Sequence, residues 1–171
     1  MFPEGRWDVD IKKLIRSMRR SRRLYNFFFD YSEHCMDRDL LYSAIILRKL
    51  VEDDAIAKKE INSIRKEYPN FPMPLLKSLN VTVPVLSFEY VGEESIIQRV
   101  CTDDYKNAKK EEKNIKDICN WIIHSYVWRV TLGASGFIVA SDYDKSKTAY
   151  FVDLDDYIKA LKDCFGMEAK Q

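Results

Sequence analysis

DLLYSAIILRKLV, residues 39–51, carries the clearest helical pattern in this chain. Its apolar residues recur every three or four positions, which is the period of one face of an α-helix, and the pattern continues past residue 60. We predict a long helix that begins at Asp37 or Asp39, either of which can cap its N-terminus, and ends near Lys66, before a proline-containing segment. The apolar positions of this helix are Leu40, Leu41, Ala44, Ile45, Leu47, Leu50, Val51, Ala55, Ile56, Ile61 and Ile64.

A second helical segment precedes the long helix, from residue 8 to about residue 30, with a break near Tyr31. It carries five arginines, which point in several directions around a helix and so cannot all meet one phosphate. Two or three of them could line a basic strip that contacts nucleic acid. The simpler interpretation is a solvated surface that faces a partner. The candidates for nucleic-acid contact are Arg16, Arg19, Arg20 and Arg23.

The middle of the chain predicts one strand and one helix. Residues 81–90 alternate as a strand does, and Pro84 favours an edge position because proline has no N–H to donate. Asp103 or Asp104 can cap a helix that runs through the charged residues 106–117 and into the segment that contains Asn120. We therefore interpret the charge run as the solvated face of a helix.

The last part of the chain predicts β-structure and a closing helix. Residues 126–132 form one strand, and residues 137–140 and 149–152 form a β-hairpin across a polar loop. Asp153 or Asp155 then caps a terminal helix. The expected fold class is α+β, mainly a helical bundle with a small antiparallel sheet that includes the C-terminal hairpin.

Composition indicates an ordinary globular domain. The chain has 171 residues, of which 46% are hydrophobic, and its 5 glycines and 5 prolines form no linker, so we expect a single domain over residues 1–171. Its helical part covers about 8–126, and the hairpin and terminal helix cover about 134–166. The 28 basic and 27 acidic residues leave a net charge of +1, so any attraction to RNA must come from local patches.

The sequence does not indicate a secreted, membrane-spanning, disulfide-bonded, metal-binding or cofactor-binding protein. The N-terminus lacks an apolar run of signal-peptide length, and no segment approaches the roughly 20 apolar residues that span a bilayer, so we expect a soluble, cytoplasmic protein without membrane contact. The four cysteines are isolated, which favours buried free thiols over disulfides or a zinc site. We predict no metal and no cofactor, since no glycine-rich phosphate loop occurs either.

The segment ICNWIIH, residues 118–124, carries the clearest chemical signal. Asn120 and His124 are one helical turn apart and share a face, in surroundings that are otherwise apolar. An amide and an imidazole that leave water must find partners or serve a purpose. The structural alternative is a core histidine that bonds to Asn120, to a backbone carbonyl or to a carboxylate.

The long helix with RKLVE at residues 48–52, followed by NWIIH at residues 120–124, resembles the HEPN superfamily of helical-bundle proteins. The similarity covers mainly residues 38–126. Ribonucleases of that family carry an arginine, four to six further residues and a histidine, often with asparagine directly after the arginine. Asn120 and His124 match this pattern, and Cys119 stands where the arginine belongs.

The resemblance implies two alternative functions. One is metal-independent RNA cleavage of the toxin or anti-phage type, with His124 as general acid or base and Asn120 orienting it or the phosphate. Because Cys119 cannot supply a cation, Arg48 or Arg129 would replace it, from another element or from a second subunit, as the family's dimeric sites imply. This function predicts a polar composite groove.

The other function is a noncatalytic or weakly active HEPN-like module for dimerisation or partner binding, in a prokaryotic defence or toxin–antitoxin context. We favour it because Cys119 removes the group that makes the family motif catalytic. It predicts a buried His124 and a homodimer, with RNA or another protein as further partners. The aromatic run of Tyr25, Phe27, Phe28, Phe29 and Tyr31 is typical of core or of a dimer interface.

Overall fold

The computed structural model describes residues 7–67, 78, 80–90, 93–101, 108–131, 135–141 and 148–167. These residues form five helices and five strands, which confirms the α+β class. The helices are α1 (Trp7–Leu24), α2 (Phe29–Glu67), α3 (Glu93–Cys101), α4 (Ile115–Ile123) and α5 (Leu154–Phe165). The strands are β1 (Thr82–Glu89), β2 (Lys109–Asn114), β3 (Ser125–Thr131), β4 (Gly136–Ser141) and β5 (Thr148–Asp153).

The strands form one antiparallel sheet in the order β2-β1-β5-β4-β3. The two predicted hairpin strands pair as β4 and β5, with Phe137 opposite Val152. The prediction of an edge position for β1 is wrong, because β1 lies between β2 and β5. Pro84 is tolerated there because pairing with β5 begins only at Val85, so Pro84 has a ladder partner, Glu112, on the β2 side alone.

The predicted helix through residues 106–117 is wrong over residues 109–114, which form strand β2 at the edge of the sheet. The sequence KKEEKN has no apolar face, and β1 supplies its backbone partners, together with a bond of 2.6 Å from Ser87 Oγ to Glu111 Oε1. Such tertiary pairing overrides local propensity. The helix begins only at Ile115, capped by Asn114. The predicted caps Asp103 and Asp104 lie outside the described residues.

The break between the first two helices comes earlier than predicted. α1 ends at Leu24, whose carbonyl accepts bonds from the next turn, and α2 begins at Phe29. The predicted caps Asp37 and Asp39 therefore lie inside α2. Asp37 Oδ1 accepts a bond of 2.9 Å from Trp128 Nε1, and buried Asp39 pairs with Arg38. These side chains bond to other side chains instead of capping backbone N–H groups.

The core has two parts, one on each face of the sheet. The larger buried cluster combines α1, α2, α4 and α5 with the face that carries Val83 and Phe137, so helices and hairpin strands contribute to the same cluster. The smaller cluster packs α3 against the opposite face around Phe88 and Phe151. As predicted, Asp153 caps the terminal helix. Among the described residues, no helix has the length and apolar character needed to cross a bilayer.

Candidate functional site

Helix α4 positions both residues of the ICNWIIH signal. Asn114 Oδ1 accepts a bond from the N–H of Lys116 at the start of the helix, and the N–H of His124 bonds to the carbonyl of Asn120 at its end. The buried face of α4 points into the main core, through residues that include Ile118. Asn120 is exposed, and His124 is half-buried instead of buried as the noncatalytic alternative predicted.

Arg48 reaches His124 from helix α2. Its Nη1 atom lies 2.7 Å from His124 Nε2, and its Nε donates a bond of 3.0 Å to Glu52 Oε1. A guanidinium can only donate, so His124 Nε2 is the acceptor in this contact. One of the two candidate cations therefore lies directly beside the candidate histidine.

A concave pocket of about 260 Å³ lies next to this pair, between α2 and α4. We call it the Arg48 pocket. It is lined by Leu47, Arg48, Val51, Glu52, Lys116, Cys119 and Asn120. The pocket is thus polar at its rim, with two cationic side chains and one carboxylate, and apolar where the helices meet.

Lys116 is a cation that the sequence prediction missed. Lys116, Asn120 and His124 are spaced four residues apart, so they lie along one face of α4. Lys116 also belongs to the charge run 106–117, which the sequence pattern assigns as a whole to a solvated helix face. Its four-residue spacing from Asn120 is therefore easy to overlook. Had the pattern at Asn120 and His124 been extended one turn back, it would have included Lys116.

Cys119 lies on the buried side of α4 and packs as a small apolar group, as expected of an isolated cysteine. Its Sγ lies 3.9 Å from Tyr157 Oη, which in turn lies 3.0 Å from Ser43 Oγ. Burial raises the pKa of the Cys119 thiol to about 12. The thiol is therefore protonated near neutral pH and supplies neither a nucleophile nor a cation. No cluster of potential metal ligands occurs among the described residues.

Arg129, the other candidate cation, belongs to a different group of charges. It is exposed on β3 and faces Glu33 and Asp37, near the beginning of α2. Burial raises the pKa of both carboxyl groups, and Arg129 partly opposes that rise. Asp37 and Arg48 are about 16 Å apart along α2. Arg129 therefore lies near the beginning of α2 and away from Arg48.

The arginines of α1 are divided between two sides of the helix. The four candidates for nucleic-acid contact are exposed and follow the spacing i, i+3, i+4, i+7, so they share one face: Arg16, Arg19, Arg20 and Arg23. Arg22 turns away from them and pairs with Asp155 of α5. The four arginines considered from the sequence thus form an exposed basic strip on one face of α1.

A large apolar surface is exposed where α1 meets α2 and along α2. We call it the exposed apolar surface, and its members are Phe27, Phe28, Phe29, Tyr31, Leu41, Tyr42 and Ile45. Phe27 is 79% exposed and Tyr31 is 66% exposed. Leu41 and Ile45, which the sequence pattern assigned to the apolar face of the long helix, are also exposed, because the buried face is formed by residues such as Leu40 and Leu47.

Comparisons with known proteins leave the family open. No protein-family model, no curated protein and no solved structure matches this chain. The resemblance to the HEPN superfamily therefore stays a prediction that rests on the residues at 48–52 and 120–124. The chemistry open to the chain is argued from its own surfaces, among them the Arg48 pocket and the exposed apolar surface.

Proposed function

We propose that this chain is a protein-interaction module that binds its partner through the exposed apolar surface, in keeping with the noncatalytic HEPN-like function expected from the sequence. The observation that carries the proposal is the exposure of seven large side chains, four between Phe27 and Tyr31 and three between Leu41 and Ile45. The largest apolar patch of a typical monomer covers about 300–600 Å² and often has a function.

The spacing of these side chains makes accidental exposure an unsatisfactory explanation. Tyr31, Leu41, Tyr42 and Ile45 follow the helical repeat, so they form an interrupted stripe on the side of α2 that faces away from the core. Exposed His34 and Arg38 lie between Tyr31 and the other three. Burial of apolar surface against a partner contributes about 25 cal/mol of free energy per Å². Aromatic residues such as Tyr and Phe are also enriched in the cores of protein interfaces.

Site-specific photo-crosslinking in cells tests the proposal. A photoreactive residue replaces Tyr42 in the stripe, and the matched control places it at Lys159, which is exposed on α5. We expect a light-dependent protein adduct from position 42 that disappears when Ile45→Lys is added, and no such adduct from position 159. The absence of any adduct at position 42 would refute the interaction module.

We propose metal-independent RNA cleavage at the Arg48 pocket as a second function. The contact of 2.7 Å between Arg48 Nη1 and His124 Nε2 favours it, since it joins a titratable base to a cation without the missing motif arginine. A neutral imidazole can accept the proton of a 2′-hydroxyl, whose oxygen then attacks the phosphorus and displaces the 5′-oxygen, which takes a proton from the imidazolium or from water. Arg48 with Lys116 can stabilise the charge that develops on the phosphate. For this step Nε2 must exchange its bond with Arg48 for one with the substrate.

RNA cleavage in EDTA tests this second function. We expect folded His124→Ala to lose activity by about 10²-fold or more, as removal of a general base does. His34→Ala is the matched control, because His34 is exposed and lies on α2 far from Arg48. Circular dichroism checks the fold, and Lys116→Ala at the pocket rim replaces His124→Ala if the latter unfolds. Absence of cleavage by the wild-type protein on varied RNAs would exclude this function and leave the interaction module untouched.

A further inference from the structure

We propose that the turn between α1 and α2, together with the arginines of α1, docks this protein on the surface of a bilayer that contains anionic lipids. The inference goes beyond the proposed interaction module, because it assigns a ligand of its own to one end of the exposed apolar surface. It follows from three observations: the aromatic side chains at this turn, the arginines that lead up to them and the local balance of charge.

The turn between α1 and α2 exposes four aromatic side chains within five residues. We call them the aromatic tip, which consists of Phe27, Phe28, Phe29 and Tyr31. Weighted by their exposed fractions, from 47% for Phe29 to 79% for Phe27, they present about 500 Å² to solvent. The three phenylalanines carry no polar side-chain atom, so their transfer from water to an apolar phase is favourable. Tyrosine, with an apolar ring and a polar end, is typical of the boundary between a membrane and water.

The arginines of α1 lead directly to this tip. We call their exposed side the arginine face, formed by Arg16, Arg19, Arg20 and Arg23. Within the described part of the chain, none of these four forms an ion pair. The N–H groups of Phe27 and Phe28 bond to the carbonyl of Leu24, so the chain continues to turn beyond the end of α1. Phe27, four residues after Arg23, therefore continues the arginine face.

The charge of this region differs from that of the chain as a whole. Between residues 12 and 31, all of which the structure describes, six basic side chains are exposed, and Asp30 is the one exposed carboxylate. The whole chain has a net charge of only +1. The positive charge is therefore concentrated beside the aromatic tip, whereas Arg22 points away and pairs with Asp155. Basic residues concentrated in this way are attracted to the negative surface of a membrane that contains anionic lipids.

A lipid surface matches both features at once. A segment that lies in the interface buries its apolar side chains about 5–10 Å below the headgroups, while its cations remain among them. The aromatic tip can enter the bilayer first, because Arg23 lies one helical turn from Phe27 and Arg16 lies about 10 Å further along α1. A single-stranded RNA would also meet the arginines, but bases stack singly on ring faces, whereas a bilayer covers the whole tip.

This docking needs no segment that spans the bilayer. The sequence predicts a protein without membrane contact because no segment is long enough to span, and that reasoning does not apply to binding at the surface. Stable attachment to a surface takes two signals, such as an apolar group and a basic patch. The aromatic tip and the arginine face supply one of each.

Co-sedimentation of the full chain with vesicles is the first test. We expect the wild-type protein to pellet with phosphatidylcholine vesicles in which phosphatidylserine is about a quarter of the lipid, and to stay in solution with phosphatidylcholine alone. Added salt should weaken the binding, because it screens the arginines from the lipid headgroups. A wild-type protein that stayed in solution with both kinds of vesicle would overturn the inference.

Two double variants separate the contributions of charge and of apolar contact. Arg16→Gln with Arg20→Gln should weaken binding to the anionic vesicles by about 20-fold, because each cation near such a surface contributes about fivefold. Phe27→Ala with Phe28→Ala should weaken it by about tenfold or more, because the rings no longer enter the bilayer. If the phenylalanine variant bound as tightly as the wild-type protein, the binding would be adsorption by charge alone and the inference would be wrong.

The chain offers a matched control for each double variant. Lys109→Gln with Lys110→Gln removes two exposed cations from β2, and Tyr42→Ala with Ile45→Ala removes exposed apolar side chains outside the tip. Both controls should bind the anionic vesicles as the wild-type protein does. All of these positions are exposed, and circular dichroism verifies that each variant keeps its fold. Equal losses in the controls and the test variants would overturn the assignment to this region.

A tryptophan at the tip tests whether the tip enters the bilayer. The wild-type protein has 3 tryptophans, whose fluorescence gives the background. In Phe27→Trp we expect brominated lipids in anionic vesicles to quench the additional fluorescence. In the control Tyr42→Trp the additional fluorescence should not be quenched. The opposite result, with quenching at position 42 and none at position 27, would overturn the inference.

Failure of this inference can be told apart from failure of the interaction module. If the protein ignored both kinds of vesicle but bound a fluorescent single-stranded RNA through Arg16 and Arg20, the surface would be a nucleic-acid interface and the inference would be overturned. The interaction module is tested by crosslinking at Tyr42, which lies outside the aromatic tip and the arginine face. A protein adduct at position 42 without vesicle binding would therefore refute the lipid surface alone, and vesicle binding without an adduct would refute the interaction module alone.

Discussion

Raising the pH above 9 should destabilise this protein through two buried thiols, one on α4 and one on α5. Cys119 and Cys164 are each less than 2% exposed, and both contribute to the main core. Burial raises the pKa of each thiol from 9.0 to about 12. The folded protein therefore keeps both protons over a pH range in which the unfolded chain releases them.

The sign and size of the effect follow from proton linkage. Below pH 9 both states hold the protons and stability is unaffected, whereas between pH 9 and about 12 the unfolded state binds fewer protons and stability falls. Each thiol lowers the free energy of unfolding by about 1.4 kcal/mol for each pH unit in that window. At pH 10 the two together cost about 3 kcal/mol, a large share of the roughly 5–15 kcal/mol that stabilises a typical domain.

Urea unfolding at pH 7.5, 9 and 10, followed by circular dichroism, measures this loss. The double variant Cys119→Ala with Cys164→Ala should be less stable at pH 7.5, because it leaves small cavities, but it should lose much less stability between pH 9 and pH 10. Cys35→Ala is the control that keeps the steep pH dependence. If the wild-type protein and the double variant lost stability in parallel, the assignment of the effect to these thiols would be wrong.

Three substitutions test local features of the fold, and urea unfolding measures all of them. Gly136→Ala places a Cβ atom against the carbonyl oxygen of Val152, so strand β4 must shift and we expect the free energy of unfolding to fall by about 2 kcal/mol or more; unchanged stability would contradict this close approach. Asp153→Ala removes the cap of α5 and should lower the free energy of unfolding by about 1 kcal/mol, whereas Asp153→Asn, which can still cap the helix, should lower it much less. Equal losses in both variants would argue against a capping role. Tyr157→Phe removes the hydroxyl that lies 3.0 Å from Ser43 Oγ and should cost about 1 kcal/mol, whereas a gain in stability would show that this contact is unfavourable.

Local sequence patterns predict only part of the candidate site. The spacing predicts that Asn120 and His124 lie one helical turn apart, and in the structure His124 is the C-cap of α4, with its N–H bonded to the carbonyl of Asn120. The contact between Arg48 and His124 joins residues 76 positions apart in the chain, so no local pattern could choose Arg48 over Arg129. The choice depends on how α2 packs against α4, which puts Arg48 at the pocket and leaves Arg129 beside the acidic residues at the start of α2.

The elements that were predicted correctly are those whose own residues carry the signal. The two hairpin strands are short apolar runs on either side of a polar loop, and Asp153 has the right chemistry and position to cap α5. Strand β2 was missed because its residues, 109–114, carry only charge, which a solvated helix and an exposed edge strand tolerate equally. Its identity depends on the partner strand β1, which lies far away in sequence.

The α+β class, the long helix, the hairpin strands and the one-turn spacing of Asn120 and His124 follow from local sequence patterns, because helical period, strand length and capping act between near neighbours. The side of α2 that is buried depends on tertiary packing, since the apolar positions of that helix extend over more than one face and packing covers some of them. Burial of Leu40 and Leu47 leaves Leu41 and Ile45 in water. The same packing brings Arg48 to His124, because contacts between distant parts of the chain are set by how whole helices fit together.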